Sequence, residues 1–325
     1  MLLKSNTIAA LVLAFISSAV SAQINQEQAD AKKHGINLFN QYKPAERYLR
    51  IAAEAGDSEA QFYLAEELRL ASQFITAEAQ AWYEKSAEQG DFYSMIRLGR
   101  SKRDLCATLK NCPKGKRTSS EWLKHAQDLA KPKAEQGDAE AMFIMYELTS
   151  NKDWLEKSAE HDHAIAQYWM AIGIRQGEGF FLPWKRDNIV GEWLRKSAEN
   201  GYPKAMMEYA VFLYENGGNL SDVRKWIKKS AEAGLEDGVS SYGAYLAHAP
   251  SRFDFPYDVV KGYGITSLLS DLDGGGGNVQ SYLEEVLPEI AAKMTPSQIE
   301  EAKEFAMKWK FSHPPISYFP DKLGY

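Results

Sequence analysis

One four-residue phrase, Ala-Glu-x-Gly, recurs along this 325-residue chain and constrains its fold more than any other feature. Five copies end in Gly and one ends in Asp; they lie at 53–56, 87–90, 134–137, 159–162, 198–201 and 231–234. A phrase that recurs in register marks a repeated supersecondary unit rather than two unrelated globular domains. The chain is therefore expected to fold as an array of small, similar units.

Each copy is flanked at fixed offsets by a large residue on one side and a small residue on the other. Eight positions before the Gly or Asp lie Tyr48, Trp82, Leu129, Trp154, Trp193 and Trp226. Four positions after it lie Ala60, Ser94, Ala141, Ala166, Ala205 and Gly238. This pattern predicts a helix that ends at a left-handed cap, followed by a second helix whose small residue lets the two backbones approach. Neither helix can bury its apolar stripe alone, so the hairpins should stack into an elongated all-α superhelix.

Two units depart from the pattern. In the third, Trp122 stands fifteen positions before the glycine rather than eight, which predicts an insertion of seven residues, about two helical turns. Pro132 lies inside that extended helix, at a position where a proline can kink or break it. In the fourth unit Asp162 replaces the glycine, and Asp tolerates a left-handed backbone better than most residues do.

The segment 82–91, Trp-Tyr-Glu-Lys-Ser-Ala-Glu-Gln-Gly-Asp, resembles the Sel-one-like repeat, a relative of the tetratricopeptide repeat. The likeness extends over about residues 45–246. It implies an α-solenoid of stacked helix-turn-helix repeats, with the first helices lining the concave side and the surfaces binding other proteins. We divide the chain into a signal peptide at 1–22, a repeat solenoid at 23–250 and a C-terminal helical cap with an irregular tail at 251–325.

The C-terminal segment lacks the repeat phrase and has its own helix signals. Helices are expected over 258–271 and 279–293, with a glycine-rich turn between them. Thr295 reads as a helix cap with Pro296 at the first position and Gln298 three after the cap, and this helix should run to about Lys310. The tail that follows holds three prolines and cannot be regular helix. These last helices are expected to cap the solenoid.

The first residues have the pattern of an export signal. Lys4 precedes an apolar stretch at 8–16, and small residues occupy 20–22, so cleavage is expected after Ala22. The apolar stretch is too short for a permanent membrane span, which needs roughly 20 residues. Gln23 rather than Cys follows, which argues against a lipid anchor. We expect a protein that is free in the periplasm; the alternative is a buried N-terminal helix.

The two cysteines fit an exported protein. Cys106 and Cys112 are the only cysteines of the sequence, and an even count outside the cytosol favours a disulfide that closes this short loop. Zinc would need two further ligands, which no neighbouring His or Cys supplies. A catalytic redox pair would more usually be spaced Cys-x-x-Cys.

Charge and motifs argue against nucleic-acid binding and catalysis. Lys and Arg total 38 against 44 for Asp and Glu, and this net charge of -6 makes nucleic acid an improbable partner. The sequence has no Gly-x-Ser-x-Gly elbow, no phosphate-binding glycine loop and no His-Glu-x-x-His motif. His161 and His163 form a pair that would need further ligands to hold a metal. We assign no catalytic residue, no cofactor and no metal.

Two connections are longer than the repeat requires. The first, 100–117, has one acid, Asp104, against a set of basic residues that includes Lys102, Arg103, Lys110, Lys114 and Lys116. It is either a solvated loop pinned by the disulfide, or a contact for an acidic partner or an anionic membrane surface. The second, 177–186, contains Trp184 and other aromatic residues that either pack over the solenoid edge or anchor a partner.

Candidate partner-binding residues lie seven positions after each Gly or Asp, on the helix that this spacing suggests for the concavity: Tyr63, Arg97, Ile144, Trp169, Glu208 and Ser241. Such variety at one offset is what recognition of an irregular partner requires. Aromatic and Arg side chains are favoured interface anchors, so we select Tyr63, Arg97 and Trp169, with Trp184 as an edge contact. The alternative is that Ile144 and Trp169 fill irregular core space.

The resemblance extends to function. Exported Sel-one-like proteins with a similar C-terminal segment, 261–309, include immunity proteins that protect bacteria from lipase or phospholipase effectors of type VI secretion. It implies a non-enzymatic protein that occludes such a toxin in the periplasm, without stable membrane insertion. The competing hypothesis is a periplasmic scaffold for envelope or signalling proteins. A third is an enzyme of cell-wall chemistry.

Overall fold

The computed structural model describes residues 24–179, 182–275 and 278–324, so the expected signal peptide at 1–22 lies outside the described residues. These residues form 17 α-helices and two short 3₁₀ turns. The helices are α1 (Gln26–Asn40), α2 (Glu46–Glu54), α3 (Ser58–Ser72), α4 (Ala77–Glu88), α5 (Phe92–Gly99), α6 (Leu105–Leu109), α7 (Ser119–Glu135), α8 (Ala139–Thr149), α9 (Lys152–Glu160), α10 (Ala164–Arg175), α11 (Pro183–Glu199), α12 (Pro203–Glu215), α13 (Leu220–Glu232), α14 (Glu236–Leu246), α15 (Val259–Ser267), α16 (Val279–Ala291) and α17 (Pro296–Ser312).

The helices stack as consecutive hairpins. The six repeat copies give the pairs α2–α3, α4–α5, α7–α8, α9–α10, α11–α12 and α13–α14, and each pair packs on the next along the chain. Helix α15 packs on α14, and α16 and α17 pack on α15. Within the described ranges the β-structure is limited to one isolated bridge between Leu235 and Ser317. The predicted all-α solenoid of stacked hairpins with a C-terminal helical cap is confirmed.

Every hairpin turns at a residue with a left-handed backbone. The φ angles are 98° at Gly56, 97° at Gly90, 98° at Gly137, 62° at Asp162, 90° at Gly201 and 82° at Gly234. The next residue both closes the first helix and starts the second. In the first hairpin the Asp57 N–H donates to the Ala52 carbonyl, while the Asp57 carboxylate caps α3 by accepting from the Ala60 N–H at 2.8 Å. The predicted left-handed turn, including its Asp variant, is confirmed.

The third hairpin carries the predicted insertion in α7. Helix α7 runs unbroken through Pro132 and buries a row spaced by four residues: Trp122, Ala126, Ala130 and Ala134. Leu129, eight positions before the glycine, is 40% exposed because it lies beside this row rather than in it. Trp122, fifteen positions before the glycine, is the large buried residue of this helix.

A serine in each of four first helices bonds one hairpin to the preceding one. Its hydroxyl donates to the carbonyl of the first residue in the second helix of the preceding hairpin. The pairs are Ser86–Ser58 (2.8 Å), Ser158–Ala139 (2.7 Å), Ser197–Ala164 (2.6 Å) and Ser230–Pro203 (3.3 Å). All four serines are fully buried. These bonds hold neighbouring hairpins at the same relative position along the array.

The cap shares its core with the last hairpins, and the tail follows it. Apolar side chains of α15 and α16, such as Ile265 and Leu283, belong to the same buried cluster as Trp226 of α13. Thr295 and Gln298 form the predicted capping box of α17, which ends at Ser312. Residues 313–324 contain no helix, as predicted.

The two ends of the array meet, so the expectation of an elongated superhelix is wrong. The Gln41 side chain, just after α1, donates to the Ile316 carbonyl at 2.9 Å. The Tyr318 N–H donates to the Asn40 carbonyl, and Lys43 contacts the Asp271 carbonyl beside α15. The small rotation between successive hairpins accumulates until α1 lies beside the cap.

We expect Ser197→Ala to lower the free energy of unfolding by about 1 kcal/mol, because it removes a buried bond between hairpins. Urea unfolding followed by circular dichroism measures the change. The control is Ser281→Ala, since Ser281 is an exposed residue within α16 and alanine favours helices. Equal effects of the two substitutions would contradict a stacking role for the serine.

Candidate functional site

The second helices of the hairpins, not the first helices that the resemblance implied, form the face that the tail crosses. We call this the inner face and define it by Tyr63, Tyr93, Arg97, Glu140, Tyr202 and Lys204, which lie on or at the start of α3, α5, α8 and α12. The tail reaches them after it has passed between α1 and α14. The chain thus presents an extended segment of itself to the side of the array where a partner was predicted to bind.

The tail is first fixed by its backbone. The Ser317 N–H donates to the Gly234 carbonyl at 2.8 Å, and the Glu236 N–H donates to the Ser317 carbonyl at 3.1 Å. The Tyr318 ring stacks on Tyr42, with the centroids 4.9 Å apart. Ile316 and Ser317 are buried. This part of the tail joins the first helix to the sixth hairpin.

Arg97 holds the last described residues of the tail. Its guanidinium donates to the Gly324 carbonyl at 2.7 Å and to the Lys322 carbonyl at 3.2 Å. The same group forms an ion pair with the buried Glu66, with Nε 2.6 Å from the carboxylate. Glu66 also accepts from Arg69 and from the Tyr83 hydroxyl, so its charge is compensated within the core. Burial raises the pKa of Tyr83, which keeps that hydroxyl a donor.

Lys322 of the tail lies over two tyrosine rings. Its Nζ is 4.8 Å from the Tyr93 centroid and 5.8 Å from the Tyr63 centroid. The Tyr93 hydroxyl donates to Glu140 at 2.6 Å, and His163 Nε2 is 2.7 Å from the other Glu140 oxygen. Burial alone would raise the pKa of Glu140, but these hydrogen bonds outweigh it and lower the pKa. An anionic carboxylate therefore faces the tail's ammonium group.

Asp321 of the tail contacts the opposite end of the inner face. One carboxylate oxygen accepts from the Tyr202 hydroxyl at 3.3 Å and lies 3.5 Å from Lys204 Nζ. Leu323 packs against the cluster that contains Ile96. Consecutive tail residues thus meet a cationic, an anionic and an apolar site.

The structure brings together two of the four predicted partner-binding residues. Tyr63 and Arg97 both contact the tail, and both are largely buried. Trp169 is 37% exposed on α10 and touches Tyr168, whose ring contacts Tyr202. Trp184 belongs to α11, but its side chain lies outside the described residues. Ile144, seven positions after Gly137, is fully buried, so in this hairpin the residue at that offset belongs to the core rather than to the binding surface.

Sequence reasoning missed the residues three positions after each turn. These are Glu59, Tyr93, Glu140, Ile165, Lys204 and Asp237. Offset three lies one helical turn before offset seven, so the two share a face of the second helix. The 3.6-residue period could have identified Tyr93, Glu140 and Lys204. The tail itself gave no such signal because it has no periodicity.

The loop with the cysteines lies outside the inner face. The predicted disulfide between Cys106 and Cys112 is confirmed. Lys116 pairs with Glu88 on α4, whereas Lys102, Arg103, Lys110 and Lys114 are exposed, as are Leu105 and Leu109. The loop is therefore fixed at its base and basic at its surface.

Metal binding, membrane insertion and cavities bear on the possible chemistry of the chain. Over 24–179, 182–275 and 278–324, no group of three or more His, Cys, Asp or Glu side chains is arranged to hold a metal ion. Over the same ranges, no helix has both the length and the apolar character needed to cross a membrane. A cavity of about 370 Å³ lies between α1 and α17, where Pro314, Pro315 and Ile316 of the tail form part of its wall.

No protein-family model and no curated protein matches this chain. Solved structures that are similar to it include the following two. The first is a protective antigen with an SLR fold that is present in uropathogenic Escherichia coli strains. Its sequence is 20% identical to this chain, the match covers 89% of this chain and 62% of the antigen, and the TM-score is 0.48. A Sel1 repeat protein from Oxalobacter formigenes is 18% identical, with a TM-score of 0.33 over 71% of this chain and 82% of that one. Both similarities are weak, and the first extends over less than two thirds of the antigen.

We expect Glu236→Gln to stabilise the protein at pH 8 by about 1 kcal/mol, once partial exposure of the carboxyl group is allowed for. Burial and the neighbouring Asp237 raise the pKa of Glu236 from 4.5 to about 7. The folded state therefore holds this proton more tightly than the unfolded state, and the resulting stability is lost as the pH rises from about 4.5 to about 7.

Urea unfolding at pH 4.5 and pH 8 tests this linkage, with the exposed Glu192→Gln as the control. The stabilising effect of Glu236→Gln should appear at pH 8 and be small at pH 4.5. An effect of the same size at both pH values, or a less stable variant at pH 8, would refute the account.

Proposed function

We propose that this chain is a protein-binding solenoid that acts in the bacterial cell envelope. The observation that carries this proposal is the inner face, which binds an extended segment of polypeptide through backbone, charged and aromatic contacts. A surface that recognises one extended segment has the chemistry to recognise another. The disulfide supports an oxidising compartment, in agreement with the expected export signal.

Within this class, we favour an immunity protein that occludes a periplasm-acting lipase or phospholipase effector of type VI secretion. The support is the resemblance of the repeat phrase and of segment 261–309 to such proteins. A curved array suits occlusion, because it can surround a protruding part of a toxin and deny substrate access to the active site. Occlusion needs no catalytic residue in this chain.

The direct test is protection. A cell that exports a lipase or phospholipase effector encoded beside this gene should resume growth when this chain is co-produced with residues 1–22 intact. The two purified proteins should form a stable complex in which lipid hydrolysis stops. The matched control lacks residues 1–22 and should not protect. Absence of both protection and complex would reject the immunity role and favour a scaffold.

Trp169→Ala should weaken partner binding by about tenfold or more, because Trp169 is partly exposed and tryptophan is a common interface anchor. The control is Met307→Ala, which removes an exposed apolar side chain from α17 instead. Calorimetric titration measures affinity, and circular dichroism checks that both variants keep their helicity. Unchanged affinity in folded Trp169→Ala protein would remove this residue from the binding surface.

A further inference from the structure

Residues 313–324 have two parts that differ in how they are held. The first part, which we call the anchor, is 313–318; it buries Ile316 and Ser317 and is hydrogen-bonded on both flanks, to α1 and to the start of α14. The second part, the arm, is 319–324, whose residues are half-buried or exposed. The arm is held by polar contacts and by the half-buried Leu323, and none of its residues is fully buried. The anchor can therefore keep the array closed while the arm leaves.

The arm lies on sites that discriminate between side chains. Tyr202 and Lys204 receive the carboxylate of Asp321. The rings of Tyr63 and Tyr93, backed by Glu140, receive the ammonium group of Lys322. Arg97 receives backbone carbonyl groups, which any residue can supply, and the cluster around Ile96 receives Leu323. The sites together select an acidic, then a basic, then an apolar residue in extended conformation.

We propose that the inner face is a peptide-binding channel, that the arm is its intramolecular occupant, and that a protein partner replaces the arm with an extended acidic-basic-apolar segment of its own. This inference rests on the proposed protein-binding function and names the chemistry of the segment that binds. A tethered occupant has a high effective concentration, so it lowers the apparent affinity for every weaker competitor. The arm thereby sets a threshold that excludes segments lacking this pattern.

The test uses the full chain, in which the anchor stays bound, and a fluorescent probe peptide with the sequence of the arm, residues 319–324, Phe-Pro-Asp-Lys-Leu-Gly. The double variant Asp321→Ala/Lys322→Ala weakens the arm and leaves the channel intact. By fluorescence anisotropy, the probe should bind this variant at least tenfold more tightly than the unaltered chain. Adding Lys204→Ala to the double variant should reduce that binding, and a scrambled probe should not bind.

Helicity and thermal melting establish that each variant is folded, and Leu323→Ala, a milder change in the arm, replaces the double variant if that one unfolds. No probe binding to a folded, arm-weakened chain would overturn the channel. A dimer of the unaltered chain that is lost in the arm variant would assign the site to a second copy and overturn the partner assignment. The probe assay needs no toxin, so its outcome is separate from that of the protection test.

Discussion

The structure depends on a corner of two residues that is built into every hairpin. One residue takes a positive φ and ends the first helix, as Gly56 does. The second helix begins directly after the next residue, and in four of the six hairpins the side chain of that residue caps the helix, as Asp57 does. This corner fixes the angle between the paired helices. Because all six corners have the same backbone form, successive hairpins can pack in the same way and the small rotation between them accumulates.

The accumulated rotation brings the first helix to the last hairpin, and this closure creates the inner face. Tail residues Ser317 and Tyr318 bond on one side to Gly234 and Glu236, and on the other to Asn40. The second helices therefore surround the tail instead of facing open solvent. The charged side chains of the inner face match the charges of the tail. Arg97 donates to a backbone carbonyl group of the tail, and Lys204 lies beside the Asp321 carboxylate. Glu140 faces the ammonium group of Lys322.

Much of the fold could be predicted from the sequence, because local features decide it. Asp162 was expected to adopt the turn of a glycine, and its φ of 62° confirms this. Leu129 occupies the offset of the large residues but is exposed, because α7 buries the row from Trp122 to Ala134 instead. The offset alone does not reveal which row of an extended helix is buried. The closure was not predicted, since it sums many small rotations that no single residue reveals.

The candidate site was predicted only in part, for a related reason. Tyr63 and Arg97 were identified from one offset, whereas the tail that covers them has no period and lies more than 200 residues away along the chain. Because the tail covers Tyr63 and Arg97, both residues contact this chain's own C-terminal segment rather than open solvent. The Arg97 guanidinium binds backbone carbonyl groups of the tail and also forms an ion pair with the buried Glu66. Arg97 therefore stabilises the core and contributes to the inner face.

Hydrogen–deuterium exchange of the tail amides tests most directly whether the array is closed by its tail around an occupied inner face. The account predicts slow exchange at Ser317, Tyr318 and Glu236, whose N–H groups donate across the closure. It predicts faster exchange at 319–324. Rapid exchange at Ser317 and Tyr318 in the folded protein would mean that the tail is not docked, and would contradict both the closed array and the occupied face.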